Sequence, residues 1–497
     1  MNKEALEKAE KLFKIAEKFR SGGDFKNAIE TYKRSLSSFS YNSMCYVGLG
    51  LCYLELQKIE KARTSFDSAF KFANYSGRSP QIKLSYAIFL KTIGKVDEAM
   101  RYYRDCCEEE YPLNITSFNY LTRYDRTITT SNKIYKNVSK SFKTNSHKMP
   151  RELKKAYYFS VARVYENMED YKKSWFMYYR GNKLSTYKHI TDSILKANEL
   201  MKLFVTEKFK LNDISEYAFQ NNRNIVFILG EHRSGASLVN KIISAHTKAF
   251  SLGESGYLEQ VIFNKKKIQD FYTNKMKNES TETNDNTNKS ADDIMKEYLK
   301  TVNHPSKDDY KYFASEYLER VRNIYKTSDL ANKDIKLLTD HTPENILYIG
   351  YILCMFPNAK FIYCKRNFLD MAVSQYQTEF EDISNGKTSV YYNLDNITKQ
   401  HTYYNECIEH WTPFIKNKLM IVNYEDLVNN SEEIIPNLIK HCDLEFDDKC
   451  LTFYKEKSVV KSASVNGVYR PIYTTSVGKW KKYEQYIPQL ISYVNHK

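Results

Sequence analysis

A chain of 497 residues has room for two to four domains and needs no disulfide or metal staple to build its cores. Its 15 glycines and 10 prolines are less than half the usual share of about 12%, which excludes collagen, Pro-rich scaffolds and Gly/Pro-turned sandwiches and favours helices. With 42% apolar and 14% aromatic residues it is not a wholly disordered chain, and a net charge of +15 calls for an anionic partner without choosing among nucleic acid, membrane surface and phosphorylated ligand.

The N-terminus, Met1-Asn2-Lys3-Glu4-Ala5-Leu6-Glu7, opens a charged amphipathic helix rather than a signal peptide. Repetition follows. Small residues Ala28, Ala62 and Ala99 recur 34 and 37 residues apart, each with aromatic or small companions: Tyr32 and Ser35, then Phe66 and Ala69, then Tyr103 and Cys106. Tyr46, Leu49, Gly50 and Tyr53 precede the second set, and Tyr86, Ala87 and Leu90 the third. A looser copy holds Val161, Ala162, Tyr165, Ser174 and Tyr178, beyond a polar stretch from 110 to 150 that reads as irregular. Small residues where two helices cross, with aromatics in the gaps, describe a helical-hairpin repeat. The spacing resembles the tetratricopeptide repeat (TPR). Such a solenoid offers a concave face to a peptide or protein partner; the plainer alternative is a helical array with no ligand of its own.

From about residue 222 the pattern changes to short apolar runs alternating with helical stretches: Asn224–Leu229, Ile335–Leu338, Lys360–Cys364 and Leu419–Asn423. This alternation predicts an α/β domain with a parallel sheet covered on both faces. The predicted division is a helical repeat domain over 1–205 and an α/β domain over 222–497, with a polar Lys/Asn/Thr-rich insertion at about 265–290 read as a surface loop. The longest apolar runs fall far short of the ~20 residues of a membrane span. The nine cysteines show neither a CxxC pair nor zinc-finger spacing, so free thiols, a reducing compartment and a cytoplasmic location are expected, with no metal site.

The strongest local signal is Gly230-Glu231-His232-Arg233-Ser234-Gly235-Ala236-Ser237, between a buried strand and a helix. Backbone N–H groups at such a helix start form an anion site. The glycines have the spacing of a nucleotide P-loop, but Ala236 stands where that loop needs Lys, which argues against Mg²⁺-dependent kinase chemistry. Arg233 offers a planar, permanently charged fork instead. A second block, Phe356-Pro357-Asn358-Ala359 into Lys360–Arg366, leads to Asn367-Phe368-Leu369-Asp370-Met371-Ala372-Val373-Ser374. An Arg at a strand's end and a Ser eight residues on can converge on one phosphate.

These blocks resemble the sulfotransferases that use 3′-phosphoadenylyl sulfate (PAPS). Their 5′-phosphosulfate loop usually reads Pro-Arg-Ser-Gly-Thr-Thr; this chain keeps Arg233, Ser234 and Gly235, with His232, Ala236 and Ser237 at the other positions. The family's 3′-phosphate Arg and Ser correspond to Arg366 and Ser374, and its Asp-Pro after that Arg is Asn367-Phe368 here. Asp340-His341-Thr342-Pro343-Glu344-Asn345 resembles Asp-Lys-x-Pro-x-Asn, with His341 for Lys. Tyr424-Glu425-Asp426-Leu427 and Ser462-Ala463-Ser464 through Ser476-Val477-Gly478-Lys479-Trp480 fall in the family's order. Behind the helical repeats, the whole is similar to TPR-containing sulfotransferases whose catalytic half is related to the tyrosylprotein sulfotransferases.

That resemblance implies PAPS as co-substrate, bound by Arg233, Ser234, Gly235, Ala236, Ser237, Arg366, Ser374, Tyr424, Ser462 and Lys479. It implies a sulfuryl acceptor hydroxyl, a protein or peptide tyrosine brought by the TPR face, with a carbohydrate or small-molecule hydroxyl as the other choice. Glu254, in Phe250-Ser251-Leu252-Gly253-Glu254, falls where the tyrosylprotein-type enzymes carry their catalytic base. A half-buried carboxyl there can have a raised pKa. His246 is a rival base that reads better as a packing or capping residue. With Glu254 and Arg233, His341 completes the catalytic set; as a His it stabilises the leaving oxygen only as a cation or as a placed N–H donor. A catalytically weak scaffold that binds the nucleotide without turnover is the competing function. No nucleic-acid-reading motif is present.

Overall fold

The computed structural model describes residues 3–73, 79–185, 224–262, 307–328, 333–380, 387–456 and 465–496; Ser462, the 265–290 insertion and the 205–222 boundary lie outside them. Ten helices of the first half are described: α1 (Lys3–Ser21), α2 (Phe25–Ser38), α3 (Ser43–Glu55), α4 (Ile59–Lys71), α5 (Ser79–Thr92), α6 (Val96–Cys107), α7 (Leu113–Leu121), α8 (Lys133–Asn145), α9 (Arg151–Asn167) and α10 (Tyr171–Lys183). Several starts are capped by side chains that accept otherwise orphaned N–H groups: Asp24 from Asn27, Asn42 from Met44 and Cys45, Asn132 from Ile134, Asp170 from Lys173.

The repeat's small residues do what their spacing predicts. Ala28, Ala62 and Ala99 are all buried where neighbouring helices pack. On α3, a Cβ on Gly48 would lie 2.3 Å from the Tyr32 ring, and one on Gly50 2.8 Å from Phe66, so each glycine leaves room for an aromatic of the adjacent helix. The polar 110–150 stretch is not irregular as expected: α7 and α8 lie in it. Ile115, Phe118, Leu121 and Val138 give those helices their buried stripe, which the surrounding Lys, Asn and Ser obscure in the sequence.

The second half holds a five-stranded, all-parallel sheet, β1 (Asn224–Leu229), β2 (Ala249–Ser251), β3 (Leu337–Asp340), β4 (Lys360–Lys365) and β5 (Leu419–Asn423), in the order β2-β3-β1-β4-β5. Three strands differ from the sequence expectation, β4 only by one added residue at its end. β3 begins two residues later than the predicted run, and β2, at three residues, is too short for any period to reveal. Separate apolar clusters line the two faces of β1, around Ile225, Phe227 and Leu229 on one side and Val226 and Ile228 on the other. Helices α11 (Ala236–Ser244), α12 (Lys307–Thr327), α13 (Phe368–Tyr376) and α14 (Leu394–Ile415) contribute to the packing around it. With β1 central and the chain crossing from β3 to β4 around it, the loops at the carboxyl ends of β1, β3 and β4 open at a topological switch point, the usual ligand crevice of such sheets.

The halves share one core cluster. Phe159, Trp175 and Tyr178 of the helical array pack with Leu369, Tyr376, Tyr483 and Leu490. Polar links reinforce the seam: Glu379 accepts hydrogen bonds from Asn119 (2.7 Å) and Arg123 (3.0 Å), and Asn182 donates to the Tyr376 carbonyl (2.9 Å). Among the described residues no helix is long and apolar enough to cross a membrane, and all nine cysteines are buried and free of disulfides.

Candidate active site

The loop after β1 is built around backbone that L residues rarely adopt. Gly230 has φ +148°, and a Cβ there would meet Ser234 Oγ at 2.5 Å and the Cys364 carbonyl at 3.0 Å. Gly235, at φ +107°, precedes α11 and sits against Tyr424, whose ring leaves no space for a side chain. Arg233 between them is itself left-handed (φ +72°), a strained conformation that costs on the order of 1–3 kcal/mol and is typical of functional turns. Ala236 and Ser237 begin α11, where the first N–H groups have no helical partner and the dipole favours an anion.

Arg233 Nε donates to Ser374 Oγ of α13 at 2.9 Å. Arg366, at the end of β4, donates from one terminal nitrogen to the Arg233 carbonyl and from the other to the Ser476 carbonyl, both at 2.9 Å. Its guanidinium lies 4.5 Å from the centre of the Tyr424 ring, and its Nε is buried without a hydrogen-bond partner. The structure thus gathers Arg233, Ser234, Gly235, Ala236, Ser237, Arg366, Ser374 and Tyr424 around one loop. Asn367, where the resemblance has Asp, caps α13 with its side chain, which accepts from Asp370 N–H at 3.2 Å. Burial, and then the Arg366 charge, hold the Arg233 pKa below its ordinary value. Two adjacent guanidiniums, a buried unpaired N–H and the orphaned Ser234 hydroxyl make an environment short of negative charge, which fits a phosphate-bearing group.

The second cluster stands at the ends of β2 and β3. The ladder continues past both strands: Leu252 N–H donates to the Thr339 carbonyl (2.9 Å) and His341 N–H to the Gly253 carbonyl (3.2 Å). That register sets Glu254 Oε1 3.7 Å from His341 Nε2. Asp340, fully buried, fixes the loop: Oδ1 accepts from Thr342 N–H, Thr342 Oγ1 and Asn345 Nδ2, and Oδ2 from Ser255 and Tyr317. Burial first, then the Glu344 and Asp340 charges, raise the Glu254 pKa to about 7 against the pull of His232 and Arg233. His341 is driven the other way. Burial, helped by the His232 charge, lowers its pKa to about 3, and neither ring nitrogen has a hydrogen-bond partner. It is therefore a neutral imidazole across the physiological range.

Glu254, His341, Arg233, Gly235, Ala236 and Ser237 line one cleft. Two carboxylate–imidazole pairs that sequence reasoning missed border it as well. His232 Nε2 lies 3.8 Å from Glu344, which keeps the imidazole pKa raised despite burial. Glu231 accepts from His401 Nδ1, while His401 Nε2 accepts from Asn405 at 2.9 Å. No spacing rule in the sequence joins 231 to 401; only the fold does.

Two residues sit apart from this gathering. His246 Nε2 bonds the Glu445 carbonyl at 2.9 Å and Nδ1 accepts from Lys248 N–H at 3.0 Å, so both ring nitrogens serve the backbone. Lys479 follows Gly478, close in sequence to the Ser476 carbonyl held by Arg366. Its ammonium, however, is held by Glu166 of the helical array and by Gln377 (3.2 Å), not by the loop after β1.

Residues 225–448 match the model of the sulfotransferase family. An uncharacterized protein of Aquifex aeolicus is 28% identical over 369 residues, covering 70% of this chain and 42% of that protein. A protein-tyrosine sulfotransferase of Drosophila melanogaster is 23% identical over 304 residues, covering 57% of this chain and 52% of that protein. The chain thus spans about half the length of the curated relatives it matches. Among solved structures it is similar to the sulfotransferase domain of the Synechococcus PCC 7002 olefin synthase (TM-score 0.35, 15% identical, covering 53% of this chain and 89% of that one). It is also similar to a sulfotransferase of Mycobacterium tuberculosis (TM-score 0.29, 11% identical, covering 73% and 98%). The loop at the switch point of the parallel sheet falls within the matched residues: residues 225–448 of this chain resemble the sulfotransferase family.

Proposed function

We propose that the chain transfers a sulfuryl group from PAPS to an acceptor hydroxyl, and that the acceptor is a tyrosine of a protein or peptide presented by the helical array. The observation that carries this reading is one cleft holding a carboxyl with a pKa of about 7 beside the Arg233 loop. Arg366 and Ser374 would hold the 3′-phosphate of the nucleotide, and Arg233, the start of α11, Ser234 and Ser237 its phosphosulfate. Tyr424 would pack beside the nucleotide. PAPS supplies an activated sulfuryl group; the chain's own residues orient it and move the proton. Glu254 takes the acceptor proton as attack proceeds, and its raised pKa matches that task near neutrality. His341, neutral, donates an N–H toward the departing oxygen, while Arg233 supplies permanent positive charge. The likeness to the Drosophila protein-tyrosine sulfotransferase supports a tyrosine acceptor.

One observation favours a second reading. A Lys would bring a fixed charge to the position of His341, and a His with a pKa of about 3 does not, so a domain that binds the nucleotide with little turnover is the alternative. Both readings predict nucleotide binding; only turnover separates them. The test is titration with adenosine 3′,5′-bisphosphate of wild type, Arg233→Ala and Arg366→Ala, followed by transfer from sulfur-labelled PAPS to peptides, glycans and phenols. No binding by wild type overturns both readings. Binding without labelling of any acceptor favours the second, and labelling of glycans alone overturns the tyrosine assignment.

A further inference from the structure

The segment 476–480 crosses over Arg366 and is fixed from three sides. Its Ser476 carbonyl accepts from Arg366 at 2.9 Å. Asp370, buried on α13, accepts from Gly478 N–H at 2.7 Å and from Trp480 N–H at 3.0 Å, one carboxylate oxygen each. Gly478 adopts φ +72°, the left-handed turn that brings both N–H groups to the same carboxylate. Between them stands Lys479, whose ammonium pairs with Glu166 on α9 and also donates to Gln377, just past α13, at 3.2 Å. Glu166 is largely buried, with a side chain 12% exposed. The Lys479 charge holds its pKa below the ordinary value against the upward push of burial, and Tyr178 donates a further hydrogen bond to it at 3.2 Å.

We infer that Glu166 is a positioning residue of the donor site: through Lys479 the helical array holds the segment that fixes Arg366, so nucleotide affinity depends on a residue of the array that touches no nucleotide. This rests on the donor-site reading proposed above. A largely buried carboxylate is a firm anchor for this lysine, because separating the pair leaves the Glu166 charge with only the nearby Arg126 charge and the Tyr178 hydroxyl to offset its burial. Asp370 restrains the backbone on both sides of Lys479, so the tether pulls on a short, already ordered segment. What it adds is the placement of the Ser476 carbonyl against the Arg366 guanidinium.

The test is the Kd of the full-length protein for adenosine 3′,5′-bisphosphate, measured by calorimetry, with melting temperatures taken alongside. Glu166→Gln should weaken binding by about tenfold, the scale of one lost hydrogen bond to a charged group. Lys479→Met should weaken it similarly. Glu166→Gln/Lys479→Met should be no worse than the weaker-binding single variant, because both act through one link. Arg104→Ala, which breaks an ion pair with Asp125 inside the array, should leave the Kd unchanged. If wild type binds and Glu166→Gln binds equally well, the inference is wrong even where the melting temperature falls. It is also wrong if Arg104→Ala weakens binding as much, or if the two single effects add. If wild type does not bind at all, the donor-site reading fails and takes this inference with it.

Discussion

The helical array and the carboxyl edge of the sheet solve opposite problems. In the array, buried space is filled by rings against small residues, as with Tyr32 on Gly48 and Phe66 on Gly50, and much of its buried polar content is tied up locally. Ser35, for example, donates to the Ala9 carbonyl, and Arg163 binds the Asn119 carbonyl, Asn119 Oδ1 and Thr122. Around the cleft, by contrast, the buried Oε2 of Glu231, Oγ of Ser234, Nε of Arg366 and both nitrogens of His341 have no hydrogen-bond partner. Unsatisfied buried polar groups are expensive; the array has some of its own, at Ser117, Asn182 and Ser185, but those of the cleft stand together at the carboxyl ends of β1, β3 and β4, where a ligand could satisfy them. The two regions therefore should respond differently to substitution.

The largest effects should separate them. Glu254→Gln should reduce turnover by roughly 10²–10⁴-fold while leaving affinity for adenosine 3′,5′-bisphosphate intact, as measured by initial rates and calorimetry. Phe66→Ala should do the reverse. It should remove about 3–5 kcal/mol of stability in denaturant melts by emptying the space beside Gly50, with residual activity per folded molecule unchanged. A Phe66→Ala variant that unfolded no more easily than wild type would break the contrast.

Next in size is the pH dependence. A carboxyl raised from 4.5 to about 7 binds its proton more tightly in the folded state, so the folded protein loses stability as pH rises through that window. Under the proposed role, activity should run the other way, rising toward a plateau as Glu254 ionises near pH 7. Glu254→Gln should abolish the acidic limb of the rate profile and raise the melting temperature at pH 8 but not at pH 4. His341, neutral above about pH 3, should contribute no limb of its own between pH 5 and 9.

The smallest and sharpest effect concerns His341→Lys. A fixed charge at that position should preserve or raise turnover, and its attraction for Glu254, now 3.7 Å from the imidazole, should move the acidic limb to lower pH. A clear loss of turnover would mean that the neutral imidazole has a role of its own.

Much of this is legible in the amino-acid sequence. The repeat's alanines, the β1 loop and the Arg366–Ser374 spacing are local patterns, and local patterns survive in a sequence. Glu254 was readable only through the resemblance to the tyrosylprotein-type enzymes, which carry a Glu just after that helix. What escaped was whatever depends on strands meeting from far apart. β2 has three residues and no period, yet it sets Glu254 against His341. His401 joins Glu231 across 170 positions, and Glu166 joins Lys479 across more than 300. The helices of 110–150 were missed for another reason: their apolar stripe is narrow and its polar background wide.

The ladder that ties β2 to β3 has one more consequence. Because Ser251 pairs with Thr339 and the His341 N–H with the Gly253 carbonyl, the separation of the Glu254 carboxyl and the His341 imidazole is inherited from backbone register rather than from the packing of their side chains. A single residue inserted between Ser251 and Glu254 would displace the carboxyl by about 3.3 Å and turn it to the opposite face. The chemistry of the cleft is thus indexed by counting residues: conservative changes around it are forgiven, and a change of length by one is not.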